Sequence, residues 1–169
     1  MSRRVLIAGI GNVFLGDDGF GVVVAGKLAA RPLPAGVAVA DIGVRALHLA
    51  FDLLDPPALL VVVDAVDRGA PPGTVSLIEP RIDSAFADIP DAHSMNLATV
   101  VAAVRGLGGD MPPVLLVGCQ PDSIDERMGL SPTVANAVPA AVALIERTIA
   151  RLTAEHSKGA APSAAEETA

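Results

Sequence analysis

The chain has 169 residues, a length that suggests one domain able to bury a sizeable core. Hydrophobic residues make up 51% and the net charge is -7, which excludes a disordered chain and leaves no Lys/Arg cluster to form a basic face for nucleic acid. The one cysteine, Cys119, excludes an intrachain disulfide and a multi-thiolate structural zinc site.

The N-terminal Val5-to-Ala8 run, closed by Gly9, reads as a buried strand. It is too short and too soon broken by glycine for a secretory segment. Gly9 to Gly21 forms a glycine-rich turn carrying the adjacent acids Asp17 and Asp18. Phe20 to Ala30 reads as a helix whose start Asp17 or Asp18 can cap. Pro32 and Pro34 interrupt the pattern. Val37 to Ile42 is a second strand, and Ala46 to Leu54 a second helix ended by Asp55-Pro56-Pro57. Ala58 to Val63 is the clearest strand, with Asp64 at its end. Gly69 to Gly73 is a loop, and Val75 to Ile78 a fourth, edge-like strand.

Pro80 to Asp91 is irregular. Ser94 to Leu107 reads as a helix capped by Ser94 or His93 and stopped by Gly108-Gly109. Val114 to Val117 is a fifth strand closed by Gly118. After a long loop from Pro121 to Pro132, Thr133 to Thr153 is a helix interrupted early at Pro139. Residues 155–169 are rich in Ala, Ser, Glu and Lys and read as a disordered tail behind a domain of residues 1–154. No stretch is long enough to span a bilayer without Gly, Pro or charge. The expected setting is the cytoplasm, without membrane insertion.

With all four aromatic residues being Phe, the core must be built from Val, Leu, Ile and Ala, as parallel strands covered on both faces require. Strands alternating with helices imply a three-layer α/β/α sandwich around a mainly parallel five-stranded sheet. Right-handed crossovers gather the strand-to-helix loops along the carboxyl edge, where ligands of open sheets bind.

Three residues on those loops stand out. Asp18 belongs to a pair of acids, and two are more than one helix cap requires; for Asp17, capping is the preferred reading. Asp64 closes an apolar strand, where it must reach the sheet edge or find a partner. A solvated loop aspartate fits that position equally well. His93 lies at the mouth of a loop just before a helix, whereas His48 falls within an apolar helix and His156 in the tail. Two carboxylates and one imidazole on a common edge suit a borderline divalent ion such as nickel or zinc, with positions left open for substrate. Other chemistry fits less well. Phe14 stands where a dinucleotide fingerprint needs its third glycine, and the paired acids would repel a pyrophosphate. No nucleophile elbow, Walker loop or zinc-protease helix occurs. Cys119 reads as a buried small hydrophobe.

Gly9-x-Gly11-Asn12, followed by Asp17-Asp18-Gly19 and Gly21, resembles the opening signature of hydrogenase maturation proteases. The likeness continues through Asp41-Ile42-Gly43, Val63-Asp64-Ala65, His93 with Leu97, Gly118-Cys119-Gln120-Pro121 and Gly129-Leu130-Ser131-Pro132-Thr133-Val134. It implies an endopeptidase that removes a C-terminal extension from the large-subunit precursor of a nickel–iron hydrogenase. The metal-contacting residues it implies are Asp18, Asp64 and His93, with nickel supplied by the substrate and Asp18 and Asp64 as the catalytic candidates. Asp41 is followed by a single glycine, where relatives often carry two, so the loop up to Arg45 is expected to differ in shape. The competing readings are a non-catalytic nickel-sensing or chaperone module and, further off, a Rossmann-type nucleotide-binding domain.

Overall fold

The computed structural model describes residues 4–82 and 96–159. Strands β1 (Val5–Ile10), β2 (Val37–Gly43), β3 (Leu59–Ala65), β4 (Val75–Ile78) and β5 (Val114–Cys119) form one sheet in the order β2-β1-β3-β5-β4. All neighbours are parallel except β4, which runs antiparallel along β5 at the edge. Helices α1 (Phe20–Ala29), α2 (Ala46–Asp52), α3 (Leu97–Gly106), α4 (Pro132–Ala135) and α5 (Val138–Gly159) complete the expected α/β sandwich.

The unbroken apolar run of β3 is explained by its two covered faces. Val61 and Val63 join Phe20, Val24, Leu28, Val142 and Ile145 beneath α1 and α5. Leu60 and Val62 point the other way, among Leu49 of α2, Leu53 just after it, and Val100 and Val104 of α3. A strand with period-two alternation looks continuous in sequence when both sides are cores. The segment Pro132–Ser157 is long and apolar enough to cross a bilayer by length and composition. Its apolar face is spent on the sheet: Val138, Ala141, Val142, Ile145 and Ile149 are all buried.

Several element ends differ from the sequence-based expectation. β1 continues past Ala8 to Ile10, and β3 takes Asp64 and Ala65 into the strand. Helix α3 is capped not by His93 or Ser94 but by Asn96, whose side chain accepts a hydrogen bond from Thr99 N. The last helix breaks before Pro139, between Ala135 and Val138. Pro139 then occupies the first turn of α5, where a missing N–H costs nothing. Residues 155–159, expected in the tail, continue α5.

Two backbone contacts set the height of the first loop. Helix α1 crosses the sheet so closely that a Cβ on Gly21 would lie 2.1 Å from Val63 O and 2.4 Å from Ile10 O. Gly11 has φ 128°, and a Cβ there would meet Asp18 O at 1.9 Å. The loop can fold back over the ends of β1 and β3 only because these positions carry no side chain.

Asp17 then ties that loop to the one after β5. It does not cap α1; Gly19 stands at the N-cap without a side-chain bond. Instead the fully buried Asp17 carboxylate accepts hydrogen bonds from Asp122 N (2.9 Å), Ser123 N (3.0 Å), Ser131 N (2.6 Å) and Ser131 Oγ (2.9 Å). Burial pushes its pKa up, but these donors outweigh burial and hold it below the ordinary value. Backbone bonds from Gly16 N to Arg127 O, from Arg127 N to Phe14 O and from Asp17 N to Ser123 O complete the seam.

Gly21→Ala is expected to destabilise the fold by ~2 kcal/mol or more through overpacking against backbone, read from denaturant unfolding. Asp17→Asn should cost about 1–3 kcal/mol, because an amide NH2 must face one of the donors. A depressed carboxylate contributes stability that is present above its unfolded pKa and lost as pH falls through the folded one. The wild-type advantage over Asp17→Asn in thermal melts should therefore shrink under acid; a gap that stays constant with pH would contradict this role.

Candidate active site

The carboxyl ends of β1 and β3 lie side by side, with Gly9 in register with Val63. Asp64 is thus the first residue of β3 beyond the stretch paired with β1, while it still pairs with Gly118 of β5. By strand alternation it follows Leu60 and Val62 toward the α2/α3 face. Asp18 comes from the 3₁₀ turn Gly16–Gly19 just before α1. The folded-back loop brings this turn over the end of β3.

Both carboxylates are buried, Asp18 at 5% and Asp64 at 4% exposure. Asp18 Oδ2 accepts a hydrogen bond from Asn12 N at 2.8 Å. Asp64 Oδ1 is buried with no hydrogen-bond partner among the described residues. The pKa of Asp64 is driven well above the ordinary value of 3.8, first by burial and then by the negative charge of Asp18, against a backbone bond from Ala65. Burial also raises Asp18, in spite of the Asn12 hydrogen bond. The two acids are therefore close enough for the charge of one to disfavour the charge of the other. Among the described residues, no basic group enters the electrostatics of either as a counter-ion.

Such a pair has two ways to settle: hold a proton, or meet a cation. The chemistry of the donors, hard carboxylate oxygens with one left unsatisfied, fits a divalent ion. Among the described residues no three His, Cys, Asp or Glu side chains gather to hold a metal by themselves. His93 lies outside the described residues.

The remaining candidates separate clearly. His48 and His156 are both on the surface. The Cys119 thiol is buried and its pKa is pushed up to about 11, by burial and by the neighbouring Asp17, so it is a poor nucleophile. Arg45 donates from Nε to Ile42 O at 3.1 Å and from its guanidinium to Asp41 O, which fixes the turn after β2.

The sequence reading places the buried Gln120 within a motif but gives it no role. Gln120, at the end of β5, accepts from Arg68 N (2.7 Å) and Ala70 N (3.2 Å), while its Nε2 donates to Asp67 Oδ1 (2.9 Å). It clamps the loop that leaves Asp64. The available signal was a large amide closing an apolar strand, where burial demands partners. A groove of about 620 Å³ lined by Arg4, Val5, Val37, Phe51 and Asp52 lies at the amino ends of β1 and β2, the opposite edge from the acids.

The chain is similar to known proteins in both sequence and fold. The family model for hydrogenase maturation protease (HycI) matches residues 22–148, from α1 into α5. The hydrogenase expression/formation protein HupD of Rhodobacter capsulatus is 35% identical over 162 residues, covering 94% of this chain and 77% of the relative. The hydrogenase 2 maturation protease of Escherichia coli is 31% identical over 133 residues, covering 78% and 81%. The solved hydrogenase maturating endopeptidase HybD from E. coli superposes with a TM-score of 0.71 at 28% identity, covering 90% of this chain and 93% of that one. The [NiFe] hydrogenase maturation protease HycI from Thermococcus kodakarensis gives 0.66 at 28% identity, covering 85% and 90%. Sequence and fold agree over nearly the whole described chain, and it belongs to the hydrogenase maturation protease family, as a hydrolase of the endopeptidase kind.

Proposed function

We propose that this enzyme removes a C-terminal extension from the nickel-loaded large-subunit precursor of a nickel–iron hydrogenase, in the cytoplasm, reading the substrate's nickel through Asp18, Asp64 and His93. The observation that carries this is the Asp64 carboxylate, buried beside Asp18 with Oδ1 unpartnered. A pair of acids so placed has its charge completed by a cation that the substrate delivers. In sequence, His93 stands three residues before Asn96, the N-cap of α3. Helix α3 packs on the sheet face that Asp64 follows Leu60 and Val62 toward.

The precursor's nickel, once gripped, holds the nearby peptide bond against the acids. Water attacks the scissile carbonyl carbon, and a carboxylate of the pair takes the water's proton. The C–N bond then breaks, and the departing amine receives that proton. The products are a shortened subunit ending in a carboxylate and a free peptide. Raised pKa values suit this work, since a carboxylate that is costly to charge is a better base than an ordinary one. A precursor without nickel leaves the acids uncompensated and its bond unpositioned, which couples cutting to metal loading. The relatives named as maturation proteases favour cutting over a non-catalytic module, and the paired buried acids disfavour a nucleotide-binding domain.

Mass spectrometry of nickel-loaded precursor after incubation with the enzyme should show a shortened chain; an unshortened one overturns the reading. His93→Ala, Asp18→Asn and Asp64→Asn are each expected to slow the cut by about 10²-fold or more. Normal rates in these variants would remove the proposed roles. Cleavage should also decline as pH falls, because protonated acids cannot grip a cation. In kcat/KM, which reports the free enzyme, the midpoint belongs above 3.8, the ordinary aspartate value, since both acids are shifted upward before the cation arrives. Asp64→Asn has a separate signature in stability. A raised carboxyl is favoured in the fold only while protonated, so above its unfolded pKa it weakens folding as pH rises. The neutral amide is therefore expected to raise Tm at neutral pH by about 2–4 °C, the equivalent of ~1 kcal/mol at this size. A lowered Tm would mark Asp64 as a structural acid instead.

A further inference from the structure

The loop that presents Asp18 is bordered by large apolar side chains left in solvent. Phe14, Val44, Ile124 and Met128 are between 49% and 69% exposed. They come from the loops after β1, β2 and β5, all on the carboxyl edge. Phe14 lies on the Asp18 loop itself. Each of the others is one residue from a backbone hydrogen bond to that loop. Gly11 N donates to Gly43 O at 3.0 Å, next to Val44. Arg127, next to Met128, donates to Phe14 O at 3.0 Å and accepts from Gly16 N at 2.8 Å. Asp17 N donates to Ser123 O at 3.0 Å, next to Ile124.

Scattered exposed apolar residues need no explanation, but several gathered around a buried polar site do. The backbone of Phe14, Ile124 and Met128 is fixed by the Asp17 seam, and that beside Val44 by the Gly11–Gly43 bond, before any ligand arrives, so little ordering cost remains to be met on binding. An endopeptidase substrate is a polypeptide, and its scissile segment must cross this rim to reach Asp18 and Asp64. We propose that Phe14, Val44, Ile124 and Met128 form a preorganised apolar rim that seats an apolar stretch of the precursor beside the scissile bond. This rests on the placement of the cut at the Asp18/Asp64 pair argued above. The rim sets affinity and choice of substrate, while the acids see the metal.

The test uses the intact enzyme and its purified, nickel-loaded cognate precursor. The double variant Phe14→Glu/Met128→Glu should raise KM about tenfold or more, with the loss falling on KM rather than kcat. Calorimetric Kd for the precursor, measured in an Asp64→Asn background, should weaken by the same factor. Phe51→Glu, an equally exposed apolar position at the opposite edge, should leave both at the wild-type value. The milder pair Phe14→Gln/Met128→Gln guards against misfolding and should shift Kd in the same direction. A wild-type Kd in both rim pairs overturns the proposal. So does a self-associated wild type that Phe14→Glu/Met128→Glu turns monomeric while precursor Kd stays unchanged, since the occupant is then a second copy. If the wild type binds but does not cut, and the rim variants still weaken binding, the cleavage reading fails and the rim stands.

Discussion

The whole arrangement depends on two aspartates being held out of water against one another. A charged carboxyl buried without a partner is among the costlier things a fold can carry. Here one sits on a central strand with a second negative group beside it and no cation in reach among the described residues. The aliphatic cores on either side of β3 supply the stability that tolerates this. The strain is local, and it is confined to the edge of the sheet where chemistry in such folds takes place.

Proximity of the acids is made by what is missing from the chain. Gly21 lets α1 lie on the backbone of β1 and β3, and Gly11 lets the loop turn back above them. With those contacts made, Asp18 arrives over the end of β3 from 46 residues earlier in the sequence. Gln120 and Asp17 then fix the neighbouring loops. Each does so by satisfying several backbone N–H groups with one buried side chain.

Much of this was legible in the residues. The apolar runs at Val5, Val37, Ala58, Val75 and Val114 correspond to the five strands, and Asp18 and Asp64 stand out by position, though for Asp64 a solvated loop aspartate fits the sequence equally well. Element ends were less legible because they depend on contacts made after folding. Asp64 reads as a loop residue beyond an apolar run, yet its strand continues because Ala65 still pairs with Cys119. Asp17 reads as a helix cap because its best partners, Ser123 and Ser131, lie more than a hundred residues downstream. Gln120 was visible only as an amide at the end of a strand; nothing in the sequence says which loop it clamps. The apolar rim was likewise hidden, since exposure of Phe14 and Met128 is a tertiary fact.

The seam between the first loop and the segment leading into α4 has an evolutionary corollary. Residues 12–19 and 120–131 share one carboxylate and several main-chain bonds, so neither can change length or course without the other. Relatives serving different hydrogenases would have to diversify the two segments in concert, as a single exchangeable module. Transplanting one alone would break the joint that holds it, whereas moving both with their aspartate carries the joint along.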